Sequence, residues 1–160
     1  SEILTYGAFS YPVTFLITDL ANRAYGKFVA RKVVFIGFII GILLTLLVST
    51  NFEDIISIRI AIGSGVAFFV AQNLDVQVFD KLRKKIWYIA PLISSLFGSI
   101  TDTFLFFSIS FYSTGISWVT LALGDLAVKL LISIIMLIPF RILINKIKDY
   151  STNTASQVKF

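Results

Sequence analysis

The chain has 160 residues, of which 57% are hydrophobic and 14% charged, with a net charge of +5. Its mean hydropathy of +0.89 leaves too little polar surface for a soluble domain of this size to cover its core. There is no Cys, which excludes disulfide and thiolate chemistry, and no His, which removes the commonest metal ligand and the usual neutral-pH acid–base group.

Five apolar runs approach or exceed the roughly 18 to 20 residues needed to cross a bilayer. The expected fold is therefore all-α, a polytopic membrane helix bundle. A single transmembrane domain is expected over residues 1–148, followed by a polar, mobile cytoplasmic tail over 149–160. The first span runs from Phe9 to about Ala24 and stays apolar until Asp19. Pro12 suits a first helical turn, where its missing N–H costs nothing. This span is short enough to be tilted, broken or partly re-entrant, and Gly26 follows it as a stop signal. Since the chain begins with neither Met nor a signal peptide, an upstream segment is expected in the natural protein.

The second span, Lys32 to Ser49, carries Gly37 and Gly41 four residues apart, the spacing that lets helices pack closely in lipid. The third, Ile55 to Leu82, is longer than a perpendicular crossing requires. The fourth begins near Trp87 and Tyr88, residues suited to the membrane interface, and runs to about Tyr112. The fifth covers Val119 to Ile144. Lys and Arg divide sharply between the two sides of this arrangement. Four flank the first turn between spans, four follow span three and four lie at the C-terminal end, whereas the opposite side holds only Arg59. The positive-inside rule then places the C-terminus in the cytoplasm. The basic residues are a topology signal beside apolar spans, not a nucleic-acid footprint.

Ionisable groups within spans are costly and normally face the bundle interior. Here they are Asp19, Asp75, Asp102, Asp125 and Lys129. Gln72 and Asp75 share one face of span three, and Phe68 and Phe79 continue it, whereas Asn73 points elsewhere. Ser95, Ser99 and Asp102 form a stripe on span four beside Gly98. Asp102 lies about 16 Å along the helix from Pro91, near the midplane. Asp125 and Lys129 stand four apart in the favourable acid-first order, as expected of a structural ion pair, with Ser133 one turn further. Asp19 and Arg23 could form a local pair at the membrane surface. Asp75 and Asp102 have no cation at helical spacing, so each is expected to meet a partner helix, water or a solute. A cavity of carboxylates, amides, hydroxyls and Phe rings suits either a flat, donor-rich heterocycle or a cationic amine.

With no His and no Cys, a nucleophile with its base is hard to find, and an enzyme is not expected. No phosphate-loop motif is present, so ATP hydrolysis by that route is excluded. No cofactor is expected. The polar residues instead suggest a transporter for a small polar solute.

Four segments, GAFSYPVTFLITDLANRAYGKFVARKVVF, FVAQNLDVQVFDKLRKK, WYIAPLISSLFGSITDTFLFFSISFY and GDLAVKLLISIIMLIP, resemble the bacterial queuosine-precursor transporter family, also called the vitamin uptake transporter family. The resemblance implies a six-helix protein of the bacterial inner membrane that imports a 7-deazaguanine, in its cyano or aminomethyl form. The polar residues that match the family by position are Thr18, Asp19, Gln72, Asp75, Ser95, Asp102, Asp125 and Lys129, and of these Asp19, Gln72, Asp75, Ser95, Asp102, Asp125 and Lys129 are expected to bind the solute. The resemblance also implies a hydrophobic helix ahead of GAFSYP that this sequence does not carry. The shape of the family is similar to that of the substrate-binding subunits of energy-coupling-factor transporters. The alternative is therefore a binding subunit for a vitamin-like solute that needs a separate ATPase module. A homo-oligomer is also compatible with the resemblance.

Overall fold

The computed structural model describes residues 6–50 and 52–157, with backbone alone for residues 6–9, 49 and 148–157. Five helices follow one another: α1 (Tyr6–Tyr25), α2 (Lys27–Leu44, extended by one wide π turn over Thr45–Ser49), α3 (Ile55–Leu82), α4 (Ile89–Phe111) and α5 (Trp118–Gln157). The bounds of α3 coincide with the expected third span. Four helical stretches, 27–48, 55–82, 89–111 and 118–147, are long and apolar enough to cross a membrane. Together they make a multi-pass helical membrane bundle. Residues 158–160, the end of the expected polar tail, lie outside the described residues, and α5 continues as helix into that tail as far as Gln157.

Two local expectations change. α1 begins at Tyr6, so Pro12 lies inside the helix rather than in its first turn. α2 begins at Lys27, so Arg31 and Lys32 are helical and the turn between α1 and α2 shrinks to Gly26. Gly26 adopts φ +89°, a backbone state that side chains disfavour. Its N–H bonds to the Asn22 carbonyl at 2.9 Å, closing α1.

α1 is the hub. It packs on each of the other four helices, whereas α2 touches only α1 and α3, and α5 touches only α1 and α4. The reason lies in its face: Pro12, Phe15, Thr18, Asp19 and Asn22 recur every three or four residues and are all buried. Val13 and Ile17, on the other face, are exposed. α2 leaves most of its apolar side chains outward, as a lipid-facing helix does.

The α3–α4 pair is the most extensive contact and is built from small residues, as lipid requires, because only short side chains let two backbones approach. A Cβ at Gly63 would fall 2.6 Å from Ser110 Oγ and 3.3 Å from the Phe106 carbonyl. Arginines tie the helix ends. Arg59 on α3 donates to the Ile109 and Tyr112 carbonyls at the end of α4, at 3.0 and 2.9 Å. At the basic end, Arg83 donates to the Asn22 and Arg23 carbonyls at 3.1 Å each. Arg23 in turn donates to the Arg83 carbonyl. Arg23 thus ties a helix end through one nitrogen, leaves its other terminal nitrogen without a hydrogen-bond partner, and makes no ion pair with Asp19.

Asp54 caps α3 by accepting the Ile56 and Ser57 N–H groups at 3.0 and 3.2 Å. Asp54→Ala is expected to cost about 1 kcal/mol, while Asp54→Asn retains most of the cap. Thermal unfolding of the purified variants in detergent checks this ordering.

Candidate functional site

The buried polar residues separate into two layers along α1 and α4. The layer further from the basic end is built on an ammonium group. Lys129 Nζ donates to Asp102 Oδ2 at 2.7 Å, to Asp125 Oδ2 one helical turn away, and to Thr103 Oγ1 at 3.3 Å. Thr103 Oγ1 donates to Asp125 Oδ2 at 2.9 Å. The expected Asp125–Lys129 pair is present, but it is two members of a triad. Asp102, which lacks a cation on its own helix, takes its partner from α5. Lys129 Nζ also lies 5.0 Å from the centre of the Tyr11 ring, a favourable cation–π position. All three charged residues are buried. Removing two carboxylates and an ammonium from water costs several kcal/mol per ion, so their mutual bonds are what make the layer tolerable.

One atom of this layer is left over. Asp102 Oδ1 is buried with no hydrogen-bond partner. The triad borders a cavity of about 220 Å³ lined by Tyr11, Ile60, Ser64, Asp102, Phe106, Asp125 and Lys129. A second cavity, of about 310 Å³, shares Tyr11 and Ser64 and extends between α1, α2 and α3 past Gly37, Gly41 and Phe68. Gly41 has open space where a Cβ would be, and Gly37 would meet only the Phe68 ring, at 3.6 Å. The two α2 glycines therefore make room for a cavity more than they bring helices together. Tyr11, which belongs to both cavities, was not singled out by the sequence. The signal available was its place in the stripe Tyr11, Phe15, Asp19, spaced four and four along α1.

The other layer lies toward the basic end. Asp19 is buried beside Asp75, and Ser94 Oγ donates to Asp19 Oδ1 at 3.4 Å. Neither oxygen of Asp75 has a hydrogen-bond partner. Between the layers, Gln72 spends its amide on α1: Thr18 donates to its Oε1 at 3.0 Å, and its Nε2 donates to Thr14 Oγ1 at 2.8 Å. Asn22 donates to the Val76 carbonyl at 3.0 Å. Asn73 turns away, donating to the Phe69 carbonyl on its own helix at 2.8 Å. Ser95 and Ser133 line a narrow crevice beside Asp19, of about 10 Å³.

Of the seven residues named from the sequence, the structure places Asp102, Asp125 and Lys129 on the wall of the cavity of about 220 Å³. Asp19 and Ser95 border the narrow crevice, and Gln72 and Asp75 line neither. Ser133 stands at i+4 from Lys129, the spacing a Ser–Lys nucleophile pair would use. Its hydroxyl instead donates to the Lys129 backbone carbonyl at 2.8 Å. Among the described residues, no cluster of acidic groups is arranged to hold a metal ion.

A membrane helix bundle that keeps an ammonium between two carboxylates beside an internal cavity has the architecture of a solute carrier, since such groups are retained in lipid where they line a solute or ion path. The chain belongs to the family described as "Putative vitamin uptake transporter", whose pattern matches residues 5–144. Among its relatives, the "Queuosine precursor transporter" of Escherichia coli strain K12 is 36% identical, with 96% of this chain and 80% of that protein covered. The "Probable queuosine precursor transporter" of Haemophilus influenzae is 38% identical, with 84% of this chain and 66% of that protein covered. That of Bacillus subtilis strain 168 is 28% identical, with 83% and 68% covered. The chain thus spans two thirds to four fifths of the length of these relatives. No solved structure matches it.

Proposed function

We propose that this protein imports a queuosine precursor, a 7-deazaguanine carrying a cyano or aminomethyl group, across the bacterial inner membrane. The observation that carries this reading is the identity of 36% and 38% to two proteins of that name over most of the chain. The C-terminus would lie in the cytoplasm, where the positive-inside rule puts the basic helix ends. The role is carriage and not catalysis.

The geometry suits this solute. A guanine-like edge presents a carbonyl oxygen next to an N–H donor. Asp102 Oδ1, buried and unpartnered, is an acceptor for the N–H. Lys129 Nζ can serve the carbonyl by giving up its longest bond, the 3.3 Å contact to Thr103. Tyr11 and Phe106 supply flat faces on the same cavity. Asp102, Asp125, Lys129 and Tyr11 are thus assigned to the solute, with Asp125 holding the ammonium in place.

The test is a thermal-shift titration of the purified full-length protein with both deazaguanines, guanine and thiamine. Ligand that binds only the folded state raises its unfolding temperature. The deazaguanines are expected to raise it, thiamine is not, and Asp102→Asn is expected to abolish the shift. No shift with either deazaguanine overturns the substrate assignment. Uptake by the purified protein alone in liposomes separates a self-sufficient carrier from a subunit that needs an ATPase module.

A further inference from the structure

Asp75 has no part in the solute site described above, yet it is the most exceptional group in the bundle. It is fully buried, neither oxygen makes a hydrogen bond of ordinary geometry, and its polar neighbours are the Ser94 hydroxyl and another buried carboxyl, Asp19. Two carboxyl groups side by side in a dry interior cannot be kept as two bare anions without a cation or a proton between them.

Among the described residues, none of the cations within reach forms an ion pair with either carboxyl. On α1, Arg23 bonds the Arg83 carbonyl through one nitrogen and lies over the Phe79 ring at 5.4 Å; its other terminal nitrogen has no hydrogen-bond partner and its charge acts on Asp19, but the two form no ion pair. On α3, Arg83 bonds the carbonyls ending α1, and Asp80 engages Lys27 of α2 at 3.6 Å. From α5, Lys129 is held by Asp102 of α4 and by Asp125, and Arg141 lies over the Trp87 ring at 4.9 Å. No ion pair reaches Asp19 or Asp75 among the described residues. A metal cation lacks space and ligands: the crevice beside Asp19 measures about 10 Å³, barely the room of one water. A proton needs neither.

The pair is also walled off from the solute cavity. Phe15 sits one turn from Tyr11 and one turn from Asp19 on α1 and is only 1% exposed. Its ring lies against Gly98 of α4, where a Cβ would be 2.8 Å from the ring and 3.5 Å from Asp75 Cβ.

We propose that Asp19 and Asp75 form a proton-binding site, separate from the solute cavity, through which inward proton movement drives import. One proton bonds to a carboxylate oxygen of the pair from the outer side and leaves to the cytoplasm, and no other bond changes. This inference rests on the proposed solute: the pair is the coupling site of that same carrier.

The experiment uses the full-length protein in liposomes with a deazaguanine as solute and a pH dye outside. For the wild type, solute addition is expected to make the outside more alkaline. An inward proton gradient should raise initial uptake several-fold, and replacing sodium by potassium should change nothing. Asp75→Asn and Asp19→Asn are expected to keep solute exchange at equal concentrations while losing the gradient stimulation and the alkaline shift. Gradient-driven uptake at the wild-type level in both variants overturns the proposal, as does sodium dependence, or loss of solute binding by Asp75→Asn with a folded protein. Should a variant not fold, the wild-type pH signal decides: uptake without it overturns the coupling but leaves the solute assignment intact. A wild type that takes up no deazaguanine overturns both.

Discussion

Lys129→Met is expected to be among the most damaging single substitutions in the protein. The ammonium is bonded to three oxygens on two helices. Its loss leaves the Asp102 and Asp125 carboxylates facing each other in a buried layer with no counter-charge. Removing one partner from a buried ion pair costs about 3 to 5 kcal/mol, because the remaining charge has been stripped of water without compensation. The substitution should therefore lower the unfolding temperature in detergent markedly and abolish deazaguanine binding. The two effects can be separated. Adding Asp125→Asn and Asp102→Asn to Lys129→Met removes the stranded charge, and stability should return most of the way, since neutral replacements of buried ion clusters are often tolerated. Binding should not return, because neither the free Asp102 oxygen nor the ammonium is left to meet the solute edge. If Lys129→Met unfolds at the wild-type temperature, the triad does not hold the bundle. If the triple variant binds like the wild type, the triad does not hold the solute.

The triad also shows where sequence reading reaches its limit. Asp125 and Lys129 were legible as a pair because four residues along one helix fix two side chains on one face, whatever the tertiary structure does. Asp102 joining them was not, since that depends on how α4 is rotated against α5. The same holds for Asp75. Its lack of a local cation was plain in the sequence, but that its neighbour would be Asp19, a second carboxyl, was not. Gln72 shares a face with Asp75, yet its amide is consumed by Thr14 and Thr18 of α1, a contact set by the packing of α1 and not by the periodicity of α3. The helices themselves were far easier. α3 is delimited by Asp54, an N-cap, and by the basic run that follows Leu82, both of which are local signals. α1 was harder, because its polar face dilutes the hydropathy on which span detection relies.

That polar face and the Phe15 ring within it lead to the second large effect, at Gly98. Glycine is required here by proximity and not by backbone conformation. A Cβ would lie 2.8 Å from two atoms of the Phe15 ring, closer than such atoms approach. The ring cannot simply step aside, since it is 1% exposed and enclosed by the bundle. Gly98→Val adds bulk beyond the Cβ, and overpacking of an interior typically costs about 1 to 3 kcal/mol. Because the strain falls between the solute cavity and the Asp19–Asp75 pair, uptake should be lost more completely than stability, with the protein still recoverable in detergent. Phe15→Ala alone should also destabilise, by leaving a void worth about 3 to 5 kcal/mol. Combined, the two substitutions share one space: the valine side chain enters the volume the ring vacates. The double variant should then be more stable than the sum of the single effects implies, as expected for residues in direct contact. A double-mutant cycle on unfolding in detergent measures this coupling directly. A strictly additive result would mean that Phe15 and Gly98 do not press on each other, and the apolar barrier between the two polar layers would have to be sought in other side chains.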